Sequence, residues 1–214
     1  MPTLLLIRHG ANDFVGRRLA GRTPGVHLNE RGRQQAETLA AILAKAPIKA
    51  VYSSPLERAV ETAEPLARAL GLTVQVCDGL TEVDFGRWVG KTARQMARTK
   101  LWKVVQWSPS QARFPAGESF TEAQGRIVAA IESILAAHAD GDLVACVSHS
   151  DAIKLALAHY LGLPLDNFQR LHVDTASISV LHFPKDGFPR LAHLNQVLEF
   201  DLQRREKPRR RKPK

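Results

Sequence analysis

Two arginines, two histidines and a glutamate stand out in this 214-residue sequence because of where they fall. Arg8, His9 and Gly10 close an apolar run at 4–7, and Arg58 follows the apolar segment 49–53. Glu82 follows 73–77, and His149 follows the apolar segment 142–148. None of the five is needed to complete an apolar face. As a set they suit phosphoryl transfer. A phosphate monoester is a dianion whose transferring oxygens must be held and neutralised. Arginine does this with planar, bidentate, permanently charged donors. Imidazole, with an unperturbed pKa of about 6.5, is a competent nucleophile near neutrality. A leaving alkoxide needs a proton, which a carboxyl group of raised pKa supplies. Gly10 would let backbone approach a ligand closely.

The elements that must gather these residues alternate in type. Strands are predicted at 4–8, 49–53, 73–77, 142–148, 178–183 and 191–196. Helices are predicted from Asn29, as a cap, to about 46; from the Ser54-Pro55-Leu56-Glu57 capping box to about 70, ending at Gly71; from the Ser119-Phe120-Thr121-Glu122 capping box to about 139; and over 151–161. The second of these would aim its N-terminal dipole at the same anion. Such alternation predicts an α/β fold, a three-layer sandwich with a mostly parallel central sheet and helices on both faces. In open sheets of this kind ligands bind beyond the carboxyl ends of the strands, where the five residues lie. Residues 79–118 are less periodic, contain all three Trp, and read as a partly helical excursion over the active site.

Several segments carry a family resemblance. Leu6-Ile7-Arg8-His9-Gly10 resembles the Arg-His-Gly signature of the histidine phosphatase superfamily, the phosphoglycerate mutase-like proteins. In the same order as in that family come Leu28-Asn29-Glu30-Arg31-Gly32, Ser53-Ser54-Pro55-Leu56-Glu57-Arg58-Ala59, Leu80-Thr81-Glu82 with Gly86-Arg87-Trp88-Val89-Gly90, Pro115-Ala116-Gly117-Glu118-Ser119, and Val147-Ser148-His149. Six matches in order are specific where one would be weak. The resemblance implies that His9 is the nucleophile, phosphorylated in transit. It implies that Arg8, Arg58 and His149 bind the phosphoryl oxygens, His149 also stabilising the transition state. Glu82 would be the general acid and then the base that activates water, with Asp84 as its rival. Asn12 and Gly21 would border the substrate. No metal or organic cofactor is implied. Three positions depart from the family pattern: Ala11-Asn12 after the Arg-His-Gly, Val89 in the Trp-Val-Gly, and Ser150 after His149. Ser150 is read as the cap of the following helix.

The expected activity is metal-independent hydrolysis of a small-molecule phosphate ester. A phosphoglycerate mutase-type phosphomutase shares all five residues and is the alternative. The short stretch between the Glu82 segment and Pro115 favours hydrolysis, because family mutases are longer there. Phosphoproteins are a further substrate class open to the fold. An alternative of another class is a scaffold that uses its tail on nucleic acid. The tail, 204–214, contributes +7 of the net charge of +9. Lacking apolar residues to bury, it is predicted to be disordered, and nucleic acid would be contacted through it alone. Residues 1–203 are read as one domain. A homodimer is among the admissible assemblies. No apolar run reaches the roughly 20 residues that span a bilayer, and the short apolar start lacks a basic leader, so a cytoplasmic location is expected. Cys77 and Cys146 read as reduced thiols. Trp88, Trp102 and Trp107 read as packing residues, and the remaining histidines as structural or surface groups.

Overall fold

The computed structural model describes residues 2–197. The proposed tail at 204–214 lies outside the described residues. The chain runs β1 (Thr3–Arg8), α1 (Glu30–Leu43), β2 (Ile48–Ser53), α2 (Glu57–Leu70), β3 (Val74–Val76), α3 (Ala93–Met96), α4 (Lys100–Trp107), α5 (Phe120–Ala136), β4 (Leu143–Ser148), α6 (Ser150–Tyr160), β5 (Ile178–His182) and β6 (Arg190–Gln196). The sheet order is β3-β2-β4-β1-β5-β6. β1 to β4 are mutually parallel; β5 pairs antiparallel with β1, and β6 antiparallel with β5.

Side chains alternate across the sheet, as strand geometry requires. Leu4 and Leu6 of β1, with Val144 and Cys146 of β4, enter the core shared with α5, α6 and the 79–118 segment. Leu5, Ile7, Ala145 and Val147 enter the smaller core beneath α1 and α2. Burial on both faces explains why these strands read as continuous apolar runs.

Register sets the site. Arg8 pairs with Ser148 and Ser53 with Val147, so three strands end level. The His9 N–H donates to Ser148 O (2.9 Å) and the Ser54 N–H to Val147 O (2.9 Å), extending the ladder by one residue. His9, Ser54 and His149 therefore emerge side by side.

Asn29 caps α1 as expected, its side chain accepting from the Gly32 N–H. Ser119 forms the expected capping box with Glu122. The expected box at Ser54 does not form. Helix α2 starts at Glu57 after Leu56, with no side-chain cap, because the Ser54 hydroxyl is engaged elsewhere. Nor does Ser150 cap α6. His149 takes the N-cap position without a side-chain bond, and Ser150 is already helical. Trp107 is not a packing residue but stands 81% exposed. It lies about 140° round α4 from the packed Trp102. Gly10 serves packing rather than ligand approach: a Cβ there would sit 2.7 Å from Gly32 O, so the loop after β1 lies directly on the start of α1.

Candidate active site

Beyond the strand ends lies a cavity of about 230 Å³. Arg8, His9, Asn12, Gly21, Arg58 and Glu82 all line it. His149 lies against His9, fully buried, with ring centroids 5.1 Å apart. Asp84, the rival to Glu82, spends an oxygen on the Gly86 N–H (2.9 Å) and is absent from the cavity wall.

His9 is held in one tautomer from both sides. Its Nδ1 lies 2.7 Å from Gly10 O, and a carbonyl only accepts, so Nδ1 carries the proton. Nε2 then keeps its lone pair, and the Arg58 Nε–H donates to it at 3.3 Å. Burial, then Arg8 and Arg58, hold the imidazole pKa well below its ordinary value, so the ring is neutral.

Arg58 is 1% exposed on the first turn of α2. Its Nη2 donates to Gly21 O (2.7 Å), while its buried Nη1 has no partner. Gly21 thus acts through its carbonyl, fixing the guanidinium. Thr62, one turn along α2, donates to Arg58 O and accepts the Gly10 N–H (2.7 and 2.9 Å), tying the arginine's helix to the loop of His9. Arg8 donates to Val173 O (2.7 Å), and its buried Nε has no partner. Asn12 accepts the N–H groups of Phe14 and Val15, and its Nδ2 is buried without a partner. Unpaired buried donors on Arg8, Asn12 and Arg58 are costly in isolation and suit an anion held between them.

Glu82 is 8% exposed, with Oε1 accepting the Val83 N–H (2.9 Å). Burial, reinforced by Asp151, outweighs that bond and the two arginines and pushes its carboxyl up to about 7.

Sequence reasoning missed the groups that hold these residues. Ser54 Oγ lies 2.7 Å from His149 Nε2 and accepts the Leu56 N–H at 3.3 Å. His149 Nδ1 is buried without a partner, and burial first, then Arg58, keeps the ring pKa well below its ordinary value. Glu118, on the Pro-x-Gly-Glu-Ser segment, accepts from Arg22 (2.8 Å), from Arg126 (2.9 and 3.0 Å) and from the Asp84 N–H (3.0 Å). Arg22 in turn donates to Glu82 O (2.8 Å), and Arg126 to Gly79 O and Thr81 O (2.8 and 2.9 Å). The motif match pointed at Glu118 but not at its partners, which lie 96 residues before it and 8 residues after it.

Among the described residues no group of three or more His, Cys, Asp or Glu could hold a metal ion, and no helix is long and apolar enough to cross a membrane. Both cysteines are free thiols.

A family model described as the histidine phosphatase superfamily (branch 1) matches residues 4–197. The chain is 39% identical over 201 residues to the bifunctional protein Rv2228c of Mycobacterium tuberculosis, covering 92% of this chain and 54% of that protein. It thus spans about half the length of the first curated relatives it matches. It is 32% identical to phosphoserine phosphatase 1 of Hydrogenobacter thermophilus, over 85% of this chain and 87% of that one. Among solved structures, the mycobacterial glucosyl-3-phosphoglycerate phosphatase Rv2419c complexed with VO3 superposes with a TM-score of 0.82 at 30% identity. That match covers 91% of this chain and 98% of the other.

Proposed function

Because this chain belongs to the histidine phosphatase superfamily, we propose that it hydrolyses phosphate monoesters through a covalent phosphohistidine on His9. The observation that carries the reading is the buried, neutral His9. Its lone pair is turned toward Arg58, and Arg8 and a carboxyl poised near neutrality share the cavity.

Each residue has a role in the proposal. The unpaired donors of Arg8, Arg58 and Asn12 take the phosphoryl oxygens, the arginines neutralising the dianion. His9 Nε2 attacks phosphorus as the bond to the leaving oxygen breaks, and that oxygen takes the proton from Glu82. The Glu82 carboxylate then takes a proton from water, whose oxygen displaces His9 and releases phosphate. His9 and the Glu82 proton are both restored. His149 donates from Nδ1 to the developing charge. In the proposal the proton is on Nδ1, with the Ser54 hydroxyl giving its own proton to Nε2, the acceptor its hydrogen bonds offer it. No step calls on a metal.

The test is release of phosphate from p-nitrophenyl phosphate and from an alkyl phosphate in EDTA, between pH 5 and 8. The wild type is expected to turn over both, and His9→Ala neither. Glu82→Gln is expected to lose at least about 10²-fold on the alkyl ester and much less on the nitrophenyl ester, whose leaving group hardly needs a proton. With the alkyl ester, wild-type kcat/KM falls as pH rises through about 7, because the acid loses its proton, and that limb disappears in Glu82→Gln. Full activity of His9→Ala or a requirement for metal would overturn the mechanism. Phosphoryl transfer to a second alcohol with no phosphate released would favour the mutase.

A further inference from the structure

Beside the phosphoryl cavity lies a second one of about 150 Å³, walled by Trp88, Met96, Trp102, Val105, Phe114 and Phe120. Leu19, Phe85 and Asp151 line both cavities, so the two adjoin at these residues. That junction is built, not incidental. The Leu19 N–H donates to Lys91 O (2.9 Å) and the Gly90 N–H to Leu19 O (2.8 Å), pinning the loop after β1 onto the 79–118 segment. Behind it the aromatics pack edge-on, Phe85 on Phe114 and Trp88 on Phe114 at 5.0 and 5.3 Å between centroids.

We propose that this aromatic chamber is the subsite for the leaving group, and that the preferred substrates are phosphate esters of alcohols carrying a neutral apolar body of about one aromatic ring. The proposal rests on the phosphatase reading above. Its first support is direction. In-line displacement puts the leaving oxygen opposite His9 and within reach of the proton on Glu82. Phe85 and Trp88 lie three and six residues beyond Glu82 on the same segment, so a group attached to that oxygen is steered toward them. Size agrees, since an apolar cavity of roughly 150 Å³ accommodates a benzene-sized ring. So does charge. Among the described residues, Asp151 is the only charged one in the chamber wall, and it is paired with Lys154 at 2.7 Å. Neither a second anion nor an ammonium group finds a free partner there. Gln106 and Gln169 in the same wall could bond a ring heteroatom or hydroxyl.

The experiment compares kcat/KM for 2-phenylethyl phosphate, ethyl phosphate and phosphoserine, three esters of primary alcohols. The wild type is expected to favour 2-phenylethyl phosphate over ethyl phosphate by about tenfold or more, chiefly through KM. Phosphoserine should do no better than ethyl phosphate. Met96→Trp, which fills the chamber, should bring the phenylethyl-to-ethyl ratio near one. Met96→Ala, a milder change at the same place, should shift preference toward 2-(2-naphthyl)ethyl phosphate. Equal efficiencies for the ethyl and phenylethyl esters, or a lead for phosphoserine, would overturn the subsite. If p-nitrophenyl phosphate is still hydrolysed by wild type and not by His9→Ala, the phosphatase reading survives that result. If the wild type hydrolysed none of the five compounds, both would be overturned.

Discussion

At the scale of single residues, the proposed catalysis depends on which ring nitrogen carries a proton. Gly10 O decides the matter for His9, and in the proposed mechanism the Ser54 hydroxyl does so for His149. The two imidazoles are neutral for the same reason, burial next to guanidinium groups, yet the proposed mechanism gives them opposite parts. One presents a lone pair and the other an N–H. Removing the hydroxyl should therefore hurt the transition state more than substrate binding. Ser54→Ala is expected to lower kcat by about 10- to 10²-fold with KM changed little. Ser54→Thr should restore most of the rate, and nitrogen NMR of the His149 ring should report the tautomer in each variant. A fall in Tm with kcat intact would make Ser54 a packing residue only.

At the scale of elements, the site is assembled from loops that few local bonds could hold. The segment carrying Glu82 is two 3-10 turns joined by extended chain, with little helix or sheet bonding of its own. Its carbonyls are taken by Arg22 and Arg126, and both arginines are anchored on Glu118. Burial by itself would raise the Glu118 carboxyl, but Arg126, the Asp84 N–H and Arg22 hold it below its ordinary range. Glu118→Gln should cost about 2 kcal/mol, since bonds to a charged acceptor become neutral ones and the arginines lose their counter-charge. For a chain of this size that is a drop in Tm of roughly 4 to 8 °C. Thermal unfolding checks it, and an unchanged Tm would show that the network is not what orders the segment. Helix α2 makes the complementary point. Pro65 sits inside it and removes a backbone donor, yet the helix runs on from Glu57 to Leu70 because its fully buried neighbours Ala59, Thr62, Ala63 and Leu66 pack on the sheet.

At the scale of the whole molecule, the site stores a cost in stability. Glu82 has a carboxyl pKa of about 7 in the folded chain and an ordinary one when unfolded, so the native state holds that proton more tightly. The sign follows by linkage. Stability contributed by the protonated group is full below the unfolded pKa and is lost as pH rises through about 7. Glu82→Gln should thus be more stable than wild type at pH 8, by on the order of 2 kcal/mol, and nearly equal to it at pH 4. Denaturant unfolding at the two pH values measures this. A gain independent of pH would mean that the carboxyl is not buried in its charged form above neutrality. Such a cost is what an acid catalyst held out of water entails.

Much of this architecture is written locally in the sequence. The alternating apolar runs of β1 and β4, the Asn29 cap and the Ser119–Glu122 box depend only on residues within one or two turns of each other. The motifs singled out Arg8, His9, Asn12, Gly21, Arg58 and Glu82 of the cavity wall, but not Arg18 or Asp151, and His149 lies against His9 and outside that wall. Tertiary structure alone decided what those residues bond to. A hydroxyl that looks like a helix cap serves a histidine 95 residues away. A glycine that looks like a ligand contact clears a path for another glycine on α1. A tryptophan that looks like core faces solvent. For Ser54 the local rule offers a partner within the same turn, and sheet register brings another from far along the chain. Pairings of that kind depend on where β1, β2 and β4 end relative to one another, a property of the whole sheet that no window of sequence contains.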